Sequence, residues 1–189
     1  MADHKVSPKK GCFSIDIRSL GRRPGSMNEV HRTVSSPERI GAEMIGIPAD
    51  SDIDLDLRLE SVSEGVLVTG TVSGDTEGQC SRCLEPVEDT VTVFLTELFA
   101  YPNSETEQTT DADEIARIVD DRIDLEQAVI DAVGLELPLS PLCSEDCEGL
   151  CTECGVRLAT AEPGHHHDII DPRWAGLAGK LSDLNNPEK

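Results

Sequence analysis

Aromatic residues are scarce in this chain, which has three Phe, one Tyr and one Trp among 189 residues. They are too few and too scattered for a base-stacking platform of the kind that RNA-recognition domains use. An apolar run of about 18 residues, which a membrane-spanning helix needs, is missing. The N-terminal stretch also lacks the apolar segment of a signal peptide. These absences predict a cytosolic protein with no membrane-spanning segment and a core of Val, Ile and Leu.

Common catalytic motifs are missing as well. The sequence has no GxxxxGK[ST] phosphate loop, no GxGxxG fingerprint, no GxSxG elbow and no HExxH motif. Its 37 Asp and Glu residues are typical of a solvated acidic surface, and no catalytic pair stands out among them. We therefore expect no catalytic residues and a protein that acts by binding rather than as an enzyme.

Positive charge is limited to 16 Lys and Arg residues, and the formal net charge is −21. Residues 1–39 carry a net charge of +4, which leaves −25 on the other 150 residues. Such an acidic body repels phosphate and disfavours broad nucleic-acid binding. A weak RNA contact is expected only from the basic N-terminal arm, and the alternative for this arm is a disordered tail without a partner.

Cysteine, in contrast, is abundant and clustered. Cys80 and Cys83 form a C-x-x-C pair, and seven further soft ligands follow near the C-terminal end: Cys143, Cys147, Cys151, Cys154 and His165–His167. In a reducing compartment, clustered cysteines are more often metal ligands or redox groups than disulfides. Cys12 belongs to neither cluster and is predicted to be a small buried hydrophobic residue.

The ligand count allows one zinc ion or two, because a closed structural zinc site takes four ligands. Two sites result if every cysteine except Cys12 is used: Cys80, Cys83, Cys143 and Cys147 in the first, and Cys151, Cys154, His165 and His167 in the second. His165 and His167 can face one ion while His166 turns away, since neighbours in an extended chain alternate. The alternatives are a single site made of the four clustered cysteines and a histidine run that is only a polar patch.

The C-x-x-C pair also has a redox interpretation, in which the protein is a thiol oxidoreductase or a metal-dependent enzyme. A redox pair favours a helix N-terminus in a βαβ unit, which lowers the thiol pKa. Here Pro86 follows the pair and strands are predicted on both sides, so a metal site is favoured. An iron-sulfur cluster is disfavoured, because the C-x2-C-x2-C-x3-C-P spacing is absent.

Alternating apolar and polar residues predict antiparallel strands within 12–20 and over 52–59, 65–74 and 87–100. Turns are expected at Glu64–Gly65 and Ser73–Gly74. Residues 101–113 have no apolar period and are predicted to be a solvated loop, with one further strand over 114–123. Short connections between successive strands favour a meander or a barrel-like sheet.

A helix is predicted after these strands, ending before Pro138. Asp124 is its expected N-cap, with Gln127 as the partner in a capping box, and its buried face comprises Leu125, Val129, Ala132 and Val133. The expected fold class is α+β, an antiparallel sheet with one main helix and a zinc-binding C-terminal segment. Four segments are predicted: a basic arm with a first strand (1–39), the β core plus helix (40–142), the Cys/His segment (143–171) and a tail (172–189) with a short helix around Trp174.

Two cysteine motifs together resemble a known family. "CSRCLEPVE", followed about sixty residues later by "LELPLSPLCSEDCEGLCTECGVRL", is similar to the DUF177 or YceD family. The resemblance extends to "FSIDIRSLGRRPGSM" and "DPRWAGL", and so covers most of the chain. In the cysteine-rich branch a C-x-C commonly follows the second C-x-x-C, whereas this chain has "HHHD" in that region.

The resemblance implies a bacterial or plastid-type ribosome-biogenesis factor that supports the accumulation of large-subunit (23S) ribosomal RNA. It also implies a gene that often lies beside that of a small basic ribosomal protein. With a body charge of −25, the expected partner is a basic large-subunit ribosomal protein or a pre-ribosomal particle.

Overall fold

The computed structural model describes residues 11–111 and 114–167, together with Arg173 and Leu177. Contacts divide the chain into two compact units, with the boundary between Glu145 and Asp146. The first unit contains all the strands and α-helices described here: β1 (Ser14–Asp16), β2 (Met27–Ser35), β3 (Ile40–Gly41), β4 (Ile45–Ile47), β5 (Asp52–Ser61), β6 (Gly65–Gln79), β7 (Pro86–Ala100), α1 (Glu105–Thr109), β8 (Ala116–Arg117), β9 (Arg122–Asp124) and α2 (Glu126–Glu136). The second unit has a 3-10 helix at Leu158–Thr160.

Seven strands form a curled half-barrel sheet in which β2, β5, β6, β4 and β3 are neighbours in that order. The longest pairing joins β6 to β7 along all 15 residues of each strand, and β8 pairs with the end of β7. All pairings are antiparallel except that of β7 with β8, and β1 and β9 form a separate two-stranded sheet. The α+β fold class with an antiparallel sheet and one main helix is confirmed.

The core follows from alternation in β5. Ile53, Leu55, Leu57 and Leu59 are at most 2% exposed, while Asp52, Asp54, Asp56 and Arg58 lie on the outer face. Helix α2 covers the inner face with Val129 and Val133, and Leu125 directly before the helix packs there too; all three are fully buried. Ala132 and Cys12 are partly buried against the same core, so Cys12 is less enclosed than predicted. The core is therefore built mainly from aliphatic side chains, as the scarcity of aromatics predicted, with Phe13 and Phe99 as its buried aromatic residues.

Two predictions about the strands were wrong, and three strands were not predicted. The chain does not turn at Ser73–Gly74, because β6 continues to Gln79. Gly74 instead gives room for Ile47, whose Cδ1 lies 3.0 Å from the position a Cβ would take. Residues 114–123 form β8 and the start of β9, separated by a turn at Asp120 and Asp121, both of which have positive φ. Strands β2, β3 and β4 were not predicted; in β2 the polar residues Asn28 and Arg32 interrupt the inward row that contains Val30 and Val34.

Two predictions about the helices were also wrong. Residues 101–113 contain α1, whose first turn is capped by Ser104 accepting the Glu107 N–H at 3.2 Å. The capping box at α2 does not form, because Gln127 donates to Asp131 instead. Asp124 keeps part of its predicted role, since its carboxylate accepts the Glu126 N–H at 3.1 Å although it ends β9. The described residues include no helix long and apolar enough to cross a bilayer.

The four predicted segments stay a prediction. The predicted arm contributes two strands, β1 and β2, where one was expected. Its first ten residues, including Lys5, Lys9 and Lys10, lie outside the described residues, as does the predicted helix around Trp174.

Gly70 lies in β6 with φ +149, and an added Cβ would overlap the Asp56 carbonyl oxygen and lie 2.8 Å from the Leu57 Cα. We expect Gly70→Ala to lower the free energy of unfolding by about 1–3 kcal/mol, since both backbone strain and a steric clash oppose it. Gly134→Ala is the matched control: Gly134 is inside α2 with no atom within 4 Å of its would-be Cβ. That control should raise stability by about 0.4–1 kcal/mol. Urea unfolding measures the free energy of unfolding of both variants, and equal changes in Gly70→Ala and Gly134→Ala would contradict this account.

Candidate metal centres

The tip of the β6–β7 hairpin is a tight cysteine turn. The Cys80 N–H donates to the Glu85 carbonyl at 2.8 Å, and the Leu84 N–H donates to the Cys80 carbonyl at 2.9 Å. Leu84 closes the turn with φ 61, in the left-handed region. Cys80 is fully buried and Cys83 is 6% exposed. Both thiols are therefore held at the inside of the turn by the backbone.

The segment after α2 is bonded to this tip. The Ser81 N–H donates to the Pro141 carbonyl at 2.8 Å, and the Arg82 guanidinium donates to the Glu145 carbonyl at 3.3 Å. These bonds bring Cys143 to the hairpin, where its Sγ lies 3.6 Å from that of Cys83. Within the first unit, the sulfurs of Cys80, Cys83 and Cys143 lie within 4.8 Å of one another, whereas Cys147 belongs to the second unit.

A second cysteine turn has the same backbone pattern. The Cys151 N–H donates to the Val156 carbonyl at 2.8 Å, and the Gly155 N–H donates to the Cys151 carbonyl at 2.8 Å. Gly155, with φ 72, occupies the position that Leu84 has in the first turn. In both turns, therefore, a C-x-x-C pair is followed directly by a residue with positive φ.

Two histidines approach the second turn. Nε2 of His165 lies 3.5 Å and Nε2 of His167 lies 3.2 Å from the Cys154 Sγ, and the two Nε2 atoms are 3.1 Å apart. Nδ1 of His166 instead lies 2.8 Å from the Gly164 carbonyl. Together with Cys151, the ligand atoms of this group lie within 4.8 Å of one another. The histidines at 165 and 167 converge while the one between them turns away, as the alternation of an extended chain predicts.

These distances fit a tetrahedral ion. Zinc bonds of about 2.3 Å to sulfur and about 2.0–2.1 Å to nitrogen would separate two sulfurs by about 3.8 Å, a sulfur and a nitrogen by about 3.5 Å, and two nitrogens by about 3.3 Å. The Cys83–Cys143, Cys154–His165 and His165–His167 distances of 3.6, 3.5 and 3.1 Å are close to these values. The three sulfurs gathered in the first unit and the four ligand atoms gathered in the second could therefore each bind a metal ion.

Thiolate formation is favoured at one cysteine in each turn. Burial raises the pKa of Cys80, but hydrogen bonds from the backbone of Cys143, Cys83 and Arg82 outweigh it and lower the pKa from 9.0 to about 6. Backbone hydrogen bonds from Cys154 and Glu153, together with His165, lower the pKa of Cys151 to about 6. Because metals bind the thiolate form, these bonds prepare both turns for a cation.

Cys143 lies beside the hairpin tip of the first unit, and Cys151 and Cys154 lie beside the histidines within the second unit. Their assignment as ligands stays a prediction. Sequence reasoning missed the structural roles of Leu84 and Gly155. A glycine directly after a C-x-x-C pair could have indicated the second turn, whereas a leucine with positive φ leaves no signal in the sequence.

An antiparallel β protein with two cysteine turns, each beside further soft ligands, is the class that this geometry defines. The family model described as "Large ribosomal RNA subunit accumulation protein YceD" matches residues 68–179, a range that includes both clusters. The chain belongs to the YceD family, and this membership suggests a ribosome-related role.

Relatives occur in mycobacteria. An uncharacterized protein of Mycobacterium tuberculosis is 60% identical over 185 residues, which cover 98% of this chain and 85% of the relative. An uncharacterized protein of Mycobacterium leprae is 51% identical over 185 residues, which cover 98% and 81%. No solved structure matches the chain.

Replacing both Cys80 and Cys83 by Ser should remove one ion from the protein and leave a second at Cys151 and Cys154. The reason is that the two groups share no ligand. Elemental mass spectrometry on untagged protein measures the change, and Cys12→Ser, which touches neither group, is the control. Unchanged metal content in the double variant would contradict the two-site partition.

Removal of metal should expose a pH dependence that comes from Cys80. Its pKa is lowered from 9.0 to about 6 in the folded chain, so its contribution to stability is complete above pH 9 and is lost as the pH falls through 6. The melting temperature of reduced, chelator-treated protein should therefore rise between pH 6 and 9, and rise less in Cys80→Ser than in Cys12→Ser. Parallel curves for these two variants would show that Cys80 is not the cause.

Proposed function

We propose that the protein is a non-enzymatic ribosome-biogenesis factor that supports the synthesis, processing or stability of 23S ribosomal RNA in the cytoplasm. The observation that carries this proposal is the family match over residues 68–179, whose description refers to accumulation of the large ribosomal RNA. The same range contains both cysteine clusters. This overlap supports a proposal in which the clusters contribute to the function.

Zinc is the proposed ion at both clusters. Cys80, Cys83, Cys143 and Cys147 would hold one ion, and Cys151, Cys154, His165 and His167 the other. A closed site with four protein ligands leaves no position for substrate, and its metal contributes folding free energy instead. At the first cluster this free energy would add to the backbone bonds that tie Ser81 to Pro141. The role of the clusters is thus to stabilise binding surfaces.

The proposed partner is a basic large-subunit ribosomal protein, free or within a pre-ribosomal particle. The charge of −25 over residues 40–189 supports a cationic partner rather than RNA. The arm can add only weak RNA contacts. Arg22 lies 3.8 Å from Asp121 and 5.3 Å from the centre of the Tyr101 ring, and Arg18 lies 3.6 Å from Asp16. These neighbours compete with phosphate for both guanidinium groups.

The lowered pKa of Cys80 favours a second candidate, a thiol oxidoreductase that uses Cys80 and Cys83. This candidate requires reactive thiols in the protein as purified, whereas a structural zinc site protects them. Alkylation of the cysteines in native protein, compared with alkylation after chelation, distinguishes a thiol oxidoreductase from a structural zinc site. Cysteines that react only after chelation support the zinc site.

The proposed function predicts that the protein recovers a basic large-subunit ribosomal protein from ribonuclease-treated lysate. Recovery should fall as salt rises, because salt screens exposed charges. Depletion of the protein should lower the ratio of 23S to 16S ribosomal RNA, and a copy that carries Cys80→Ser and Cys83→Ser should restore it less well than Cys12→Ser. An unchanged ratio after depletion would contradict the ribosomal role. Tight RNA binding by a chain without residues 1–39 would contradict the choice of partner.

A further inference from the structure

The outer face of the large sheet has an aromatic residue at an outward position. Phe94 is 70% exposed, whereas its neighbours Val93 and Leu95 are buried in the core. The flanking outward positions of β7 are Thr92 and Thr96, both exposed. Single exposed apolar residues are common on protein surfaces, so its significance depends on what surrounds it.

A groove runs along β6 beside Phe94. The register places Phe94 opposite Thr71, Thr71 opposite Asp56, and Asp56 opposite His31. Strand β6 presents only small residues outward here, Thr69 and Thr71, which form the floor together with Gly70. Phe94 is one wall and Asp56 is the other, two strand spacings or about 10 Å apart. The depression has a volume of about 440 Å³.

The sheet face around this groove is acidic, although the groove itself is lined by Glu29 and Asp56 together with His31 and Arg58. The outward positions of β2, β5, β6 and β7 hold eight carboxylates, on Glu29, Asp52, Asp54, Asp56, Glu60, Asp75, Glu77 and Glu88. Arg58 is the one Lys or Arg on these outward positions within the described residues, and Glu60 lies 3.3 Å from it. Asp54 accepts a hydrogen bond from Thr33 at 2.7 Å, and Asp56 lies 3.0 Å from Nδ1 of His31. The carboxylates are thus held in place while most of the surrounding charge remains negative.

We propose that this groove binds an extended, arginine-rich segment of the partner protein. A guanidinium group can stack on Phe94 while it donates hydrogen bonds to carboxylates, a combination that a lysine ammonium meets less well. The small floor residues leave room for the backbone of an extended chain. Eight carboxylates would repel the phosphates of RNA, so the occupant is a protein segment. This inference rests on the proposed function and identifies the surface through which the partner is held.

The test measures binding of a fluorescent peptide of alternating Arg and Gly to the full chain. The double variant Asp54→Asn and Asp56→Asn should weaken binding about tenfold and flatten its salt dependence, since two charge pairs are lost. Phe94→Thr, which matches the neighbouring threonines, should weaken binding about threefold and leave the salt dependence unchanged. Phe94→Tyr keeps the aromatic face and should bind like the unchanged protein.

The matched control removes two charges outside the groove, with Glu38→Gln and Glu43→Gln, both at exposed positions. Binding should stay within about twofold of the unchanged protein, because neither residue lines the groove. Equal losses in this control and in the Asp54/Asp56 variant, with no effect of Phe94→Thr, would overturn the groove. A uridine oligonucleotide that binds tightly and is lost with Phe94→Thr would also overturn it.

Repeating the ribonuclease-treated recovery with the same variants separates the two proposals. Recovery of a ribosomal protein that is equal in all variants would refute the groove and leave the proposed function standing. Groove-dependent peptide binding without recovery of any ribosomal protein by the unchanged chain would support the groove and refute the proposed partner. Loss of recovery in the Asp54/Asp56 and Phe94→Thr variants, but not in the control, would support both.

Discussion

The pairing of β6 with β7 is the constraint on which the other features depend. Its 15-residue register decides which side chains enter the core and which face out, and a slip of one residue would exchange the two faces. The same pairing carries Cys80 and Cys83 at its end and keeps Leu95 inside while Phe94 faces outward. An ion bound at the tip would fix this register, because a slip of one strand along the other would move Cys80 and Cys83 away from Cys143.

Both cysteine turns stabilise a thiolate through backbone hydrogen bonds. Sulfur ligands must be deprotonated and close together before a cation arrives, although their negative charges repel one another. Backbone N–H groups that point at Cys80 and at Cys151 offset this repulsion in advance. A residue with positive φ closes each turn, glycine in one and leucine in the other. The first turn therefore carries a local strain that its hydrogen bonds and a bound ion would have to outweigh.

Strand β5 and helix α2 could be predicted from the sequence because each has one buried face, so the apolar period is visible in a short window. Strand β2 could not, since it lies at an edge and is mostly exposed on both faces. Helix α1 buries nothing, and its only signal was the Ser104–Glu107 spacing of an N-cap. Counting cysteines and histidines indicated candidate metal ligands, whose role stays a prediction, but the contact of the hairpin tip with Pro141 depends on tertiary structure. The turn at Leu84 had no local signal at all.

The alternating buried and acidic residues of β5 also affect whether molecules of this protein associate with one another. Asp52, Asp54 and Asp56 project from a broad sheet face whose open area would otherwise invite stacking of one molecule on another. Two such faces would bring like charges together, so the protein should resist self-association at low salt and at high concentration. The charges that would attract a cationic ligand thus also keep the face accessible, and neutralising them would favour self-association.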